Sequence, residues 1–203
     1  MSMITKCVLC LVLLSTGAAL AADFKNLGFD AIQDRIDREQ LKKGQRLKGK
    51  EAADGWDGTA LTRDIVLDQQ SPGVGISRVH ANPVWEKGDP YDRGRAALIL
   101  SPWCKNVYCE MEFHQTGQIP PTAKFLKYYN AGGQFDVSIN GKVLPGIVEV
   151  VASDDSIGAP KIVQIDISQF SGKEVEIRFT TRPDGVSTDY LIDGIVLLRE
   201  RKR

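Results

Sequence analysis

The chain has 203 residues, 26 basic and 26 acidic side chains, and 42% apolar residues. At ~100 to 200 residues per domain this leaves room for one good-sized domain and excludes two large ones. A charge balance so close to zero argues against a nucleic-acid partner.

The first stretch, "MSMITKCVLCLVLLSTGAALAADF", places Lys6 before an apolar run from Cys7 to Leu14 and ends in Ala19-Leu20-Ala21. That order predicts a secretory signal peptide over residues 1–22, cleaved so that the mature chain starts at Ala22 or Asp23. The competing reading is an uncleaved anchor, but the run is short against the ~20 residues that cross a bilayer. The expected location is therefore periplasmic or extracellular, with no membrane span after cleavage. Removal of Lys6, Cys7 and Cys10 leaves one net negative charge and two cysteines.

Residues 23–54 form a separate N-terminal segment by pattern. Phe29, Ile32 and Ile36 recur at helical spacing, Asp30 suits a cap and Gly44 a stop, which predicts a short charged helix over 30–43. Its thin apolar stripe suits docking on a sheet, binding a protein partner, or tethering the domain.

From Gly55 onward, period-two runs separated by turn residues take over, the pattern of an all-β sandwich. Strands are predicted in "TRDIVLDQ", "RAALILSP", "YCEMEFHQ", "GQFDVSINGKVL", "GIVEVVAS", "KIVQIDIS" and "KEVEIRFTT". Phe135, Val137 and Ile139 alternate with polar residues up to Asn140-Gly141, a strong hairpin signal. Val163, Ile165 and Ile167 share one face of their run, as do Val175, Ile177 and Phe179 of theirs. In an oxidising compartment Cys104 and Cys109 of "CKNVYC" are expected to form a local disulfide. The alternative, a metal site with His80 and His114, lacks zinc-type spacing.

The last run, "DYLIDGIVLL", is apolar on both faces. Alternation puts Leu191, Asp193, Ile195 and Leu197 on one side and Tyr190, Ile192, Val196 and Leu198 on the other, so the strand is expected to be central. A buried carboxylate there must be paired, metal-bound or near the strand's mouth.

"VQIDISQFSGKEVEIRFTTRPDG" followed by "TDYLIDGIVLL" resembles the ending of galactose-binding-like jelly-roll domains, a superfamily with many carbohydrate-binding modules. Asp166, Ser168, Gly172, Lys173, Tyr190, Ile192 and Asp193 occupy the positions that carry the likeness. "DGW" at 54–56 and "YDRGRAALIL" at 91–100 resemble the opening aromatic and second strand. The resemblance implies a jelly-roll β-sandwich over 55–199, with a basic tail at 200–203. It also makes Asp193 a candidate ligand of a structural calcium ion, with partners among Asp54, Asp57 and Asp64. Calcium takes six to eight oxygens, and the other reading of Asp193 is an acid that caps loop amides or meets Arg95 or Arg178.

Sugar binding by such a fold uses aromatic anchors inside a polar rim. The candidates are Trp85, Tyr91 and Arg93 around "EKGDPYDRGR", Trp103, and Tyr128-Tyr129-Asn130 ahead of a Gly-Gly turn. Each aromatic also suits packing beneath its own loop. An enzyme reading rests on Glu110, Glu112 and His114 projecting from one strand face, and on Asp154-Asp155. E-x-E-x-H is equally an ordinary wet strand face, and no nucleophile elbow or phosphate-binding glycine loop accompanies it. The resulting expectation is an exported, non-catalytic binding protein recognising a glycan or cell-envelope polymer through its loops. Its rivals are a subunit of a periplasmic or surface protein assembly and a small polysaccharide-acting enzyme.

Overall fold

A computed structural model describes residues 23–25, 27–29, 46–62, 64–67, 78–81, 96–100, 103–104, 107–108, 110–150, 161–182 and 190–200. The predicted signal peptide, the 30–43 helix and the last three residues of the tail lie outside the described residues. Within them the chain is all-β, with one four-residue helix, α1 (Gly49–Ala52), and two short 3-10 turns at Thr59–Leu61 and Ser168–Phe170. No helix among the described residues is long and apolar enough to cross a membrane.

The strands are β1 (Arg46–Lys48), β2 (Asp64–Leu67), β3 (Arg78–Ala81), β4 (Ala96–Leu100), β5 (Trp103–Cys104), β6 (Val107–Tyr108) and β7 (Glu112–Gln118). They continue with β8 (Phe125–Gly132), β9 (Gln134–Ile139), β10 (Lys142–Leu144), β11 (Gly146–Val150), β12 (Lys161–Asp166), β13 (Glu174–Arg182) and β14 (Tyr190–Leu198). One sheet has eight strands in the order β1-β2-β3-β4-β14-β8-β12-β11, the other four in the order β10-β9-β13-β7, and β5-β6 form a small separate pair. All pairs are antiparallel except β2 with β3. The seven expected runs and the closing one all become strands. The shorter strands around them are too brief to show a period.

Alternation decides what each sheet buries. Phe113 from β7, Val137 and Ile139 from β9, and Val175, Ile177 and Phe179 from β13 turn inward from the smaller sheet. Leu126 and Tyr128 from β8, Val163 and Ile165 from β12, and Tyr190 and Ile192 from β14 meet them from the larger. At the centre is an aromatic cluster: Phe113 and Phe179 stack at 5.0 Å, Trp56 meets Phe113 edge-on at 5.2 Å, and Tyr128 crosses from the opposite sheet to within 5.3 Å of Phe179. Such offset and edge-on pairs satisfy the ring quadrupoles as well as burying area.

Phe29, read from spacing as the first residue of a helical stripe, does something else. Its backbone is left-handed (φ 57°) and its ring is fully buried, 5.6 Å from Trp56 and 6.1 Å from Phe113. The core captures it, while Ile32 and Ile36 of that stripe lie outside the described residues. Asn140 and Gly141 do make the expected two-residue hairpin between β9 and β10, both with positive φ (49° and 77°), as a type I′ turn requires.

β14 lies between β4 and β8, central as expected. Its simple alternation fails midway, because a β-bulge between Asp193 and Val196 shifts the pairing with β8. Tyr190 and Ile192 point into the core, and beyond the bulge so do Ile195 and Leu197. Leu191 packs with Tyr129 and Ile162 on the opposite face. Gly194 supplies the left-handed residue of the bulge (φ 55°), and the Asp193 carboxylate accepts the Gly194 N–H at 2.6 Å.

Gly133, between β8 and β9, touches the face of Tyr190. A Cβ at this position would lie 2.2 Å from Tyr190 Cε1 and 2.3 Å from Cζ, and that ring is fully buried. Gly133→Ala is therefore expected to cost about 1–3 kcal/mol by overpacking. Gly141→Ala, where a Cβ meets nothing within 4 Å, should show only the ~1–2 kcal/mol backbone cost of a left-handed residue. Urea denaturation of both variants separates the two effects; a smaller loss for Gly133→Ala than for Gly141→Ala would show that Tyr190 yields freely.

Candidate functional site

The two sheets are open along one side, where the chain passes from one to the other. β10 is the edge of the smaller sheet and β11 the edge of the larger, and Pro145 joins them. Proline has no N–H to extend the β10 ladder, so the chain leaves one sheet there and enters the next. Between these edges lies a cleft of about 400 Å³, within the ~300–1,000 Å³ range of small-molecule sites.

Its floor is apolar: Val137, Leu144, Val163 and Ile165. Its walls carry Tyr128, Asn130, Gln134, Asp136, Lys161 and Arg182. Gln134 and Arg182 face each other in the β9–β13 register, and Lys161 faces Asn130 in the β12–β8 register. The Arg182 guanidinium donates to Asp136, and this contact holds the Arg182 pKa above its ordinary value. The Arg182 carbonyl accepts the Tyr190 hydroxyl at 2.7 Å, which ties the end of β13 to the core. Burial pushes the Tyr128 phenol well above its usual pKa, so it stays neutral and protonated. Asn130 is 1% exposed, and its side-chain oxygen has no hydrogen-bond partner among the described residues. A buried acceptor left without a donor costs about 1–3 kcal/mol, which a ligand hydroxyl would recover.

Tyr128, Tyr129 and Asn130 are thus not loop residues. β8 is hydrogen-bonded by β14 on one side and β12 on the other, so all three are mid-sheet and buried. Tyr128 and Asn130 face the cleft as wall residues. Tyr129 points to the opposite face, with the Lys127 ammonium 6.0 Å from its ring centre. Trp103 and Cys104 lie in β5, paired with Tyr108 and Val107 of β6. Trp85, Tyr91, Arg93 and Cys109 lie outside the described residues, as does Asp154-Asp155. Sequence reasoning missed Gln134, Asp136, Lys161 and Arg182. Their only signal is that they are polar residues at or near strand ends, which becomes meaningful once the sheet order is known.

Among the described residues, no group of three or more His, Cys, Asp or Glu side chains is placed to hold a metal ion. Asp57 binds Lys50 at 2.8 Å and the Gly58 N–H at 2.8 Å, and these contacts, Lys50 first, hold its pKa below the usual carboxylate value. Asp193 caps an amide, while Arg178 belongs to the other sheet and pairs with Glu176 and Glu112.

Glu112 and His114 do come together, at 2.9 Å, with Arg178 3.4 Å from the same Glu112 oxygen. The other Glu112 oxygen accepts the Thr59 N–H at 3.0 Å, and the Glu112 N–H donates to the Thr59 hydroxyl at 3.1 Å. Beside it the backbones of Asp57 and His114 exchange both hydrogen bonds. This constellation fastens the segment carrying buried Trp56 to β7, while Glu110 is exposed. Glu112→Ala is expected to lower stability by about 1–3 kcal/mol through the lost charge-assisted bonds, and Glu112→Gln by less. Thermal unfolding measures both; equal melting temperatures for wild type and Glu112→Ala would refute the fastening role.

No family model matches the chain, and no curated protein matches it in sequence. Among solved structures it is similar to the enzymatically active domain of tailspike protein 4 from bacteriophage CBA120 (13% identity, TM-score 0.41). That likeness covers 70% of this chain but only 19% of the tailspike chain. It is also similar to a Stig cyclase, Fisc from Fischerella sp. TAU (12%, TM-score 0.47, 87% of this chain and 95% of that one). A third similar structure is TmCBM61 in complex with β-1,4-galactotriose (12%, TM-score 0.38, 79% and 100%). These are weak likenesses among sheet-rich proteins.

Proposed function

We propose that the protein is an exported, non-catalytic binding protein whose two sheets form a jelly-roll sandwich, and that it takes a glycan in the cleft beside β10 and β11. The observation that carries this reading is the combination of an apolar floor with a buried, unpartnered Asn130 carbonyl in the wall. Sugars present that duality: C–H faces for an apolar surface and hydroxyls for fixed acceptors and donors. Neutral Tyr128 and the Asp136–Arg182 pair supply further polar partners held in place by strands. Export rests on the signal-like residues 1–22, and the non-catalytic role on Glu112 and His114 serving to fasten a segment.

The test is calorimetric titration of the purified protein with a panel of oligosaccharides, repeated with Asn130→Leu. Saturable binding that the variant loses, with its melting curve unchanged, supports the reading; no binding across the panel overturns it. The rival reading, a protein-assembly subunit, is favoured by Val143 and Ile147, which are exposed at the cleft's edge strands (59% and 49%). Ile147→Ser, at a residue outside the cleft lining, would leave glycan binding nearly intact and abolish a protein contact.

A further inference from the structure

Three charged side chains line the cleft, Asp136, Lys161 and Arg182. Asp136 and Arg182 are bonded to each other, so their charges largely cancel. Lys161 is left over: it is half-buried, and no carboxylate among the described residues pairs with it. With Tyr128 neutral, the lining carries one uncompensated positive charge. A half-buried ammonium beside an apolar floor is poorly screened, and an anion is its most favourable partner.

The position of this charge is informative. Lys161 stands directly opposite Asn130 on neighbouring strands, and side chains at such positions leave the same face with Cβ atoms ~4.5–5.5 Å apart. One wall therefore presents, among the described residues, a cation without a paired carboxylate next to a buried acceptor without a donor. The complementary ligand carries an anion and a hydroxyl side by side on a small rigid frame with an apolar face.

We infer that the cleft takes an acidic glycan, a sugar acid whose carboxylate meets Lys161 while a neighbouring ring hydroxyl donates to Asn130. The inference rests on the proposed glycan-binding role and narrows it from sugars in general to uronic-acid-containing chains. Charge-assisted bonds are shorter and about twice as strong as neutral ones, so the acid is favoured over its neutral counterpart. The expected preference is about tenfold in Kd at low salt, a modest step on the affinity scale, and it falls as salt screens the pair.

The experiment titrates the purified protein with short glucuronate, galacturonate and mannuronate oligomers, each matched to its neutral hexose counterpart. It is run at low and high sodium chloride, with wild type, Lys161→Met and Lys161→Arg. At least one acid should bind about tenfold tighter than its neutral match at low salt. Lys161→Met should bring the acid down to the level of its neutral match, so that the preference is lost, and Lys161→Arg should keep the preference. Equal binding of acid and neutral forms, or an acid preference that survives Lys161→Met, overturns this inference and leaves the glycan reading standing. Failure of every oligomer to bind overturns both.

Discussion

Phe179→Ala is expected to lower stability by about 3–5 kcal/mol, the range for truncating a buried aromatic ring. The ring is fully buried and stacks on Phe113 at 5.0 Å, with Trp56, Tyr128 and Phe135 edge-on at 6.0, 5.3 and 6.2 Å. Its neighbours come from β7, β8, β9 and the segment before the Thr59–Leu61 turn, so no single element can move inward to fill the gap. For a chain of this size the loss corresponds to a fall in Tm on the order of 10 °C. The same variant should weaken ligand binding, since Tyr128, a wall of the cleft, leans on this ring. Chemical denaturation measures the first effect. A loss below ~1.5 kcal/mol would mean that the aromatic cluster can collapse around the vacancy.

Asp193→Ala should cost about 1.5–3 kcal/mol, the contribution of a hydrogen bond to a charged group. Asp193 is 4% exposed, and its carboxylate holds the Gly194 N–H at the bulge. Asp193→Asn, which keeps an acceptor oxygen in place, should recover part of the loss. On this account a calcium chelator leaves the melting temperature of the wild type where it was. A clear fall on chelation, abolished in Asp193→Ala, would instead make Asp193 a metal ligand and overturn the amide-capping role.

The long runs with strict period two were legible in the sequence. Phe135–Ile139, Val163–Ile167 and Val175–Phe179 bury the faces their alternation assigns, and the Asn140-Gly141 turn follows from residues that tolerate positive φ. The site was not legible, for a physical reason. Lys161, Gln134, Asp136 and Arg182 come from three strands, and only the pairing of β9 with β13 in one sheet and of β12 with β8 in the other sets them along one cleft. Tyr128 and Asn130 were visible as residues of interest but were placed on a loop, because "KYYNAGG" ends in glycines. Their burial follows from β8 having a partner on each side, which is a property of sheet order. Phe29 was legible as an apolar residue, but its place in an aromatic pocket beside Trp56 and Phe113 depends on contacts across the fold.

The bulge in β14 answers a question that its sequence leaves open. A strand with apolar side chains on both faces can slide by one residue along its neighbour and still bury grease on either side, so hydrophobicity alone does not choose between alignments. A carboxylate and a glycine set in the middle of the run make the choice. Any slipped alignment forces the charge against a flat ladder and denies Gly194 its turn. The pair thus works as a counting mark during folding, and erasing it should produce misaligned, slowly refolding chains before it produces unfolded ones.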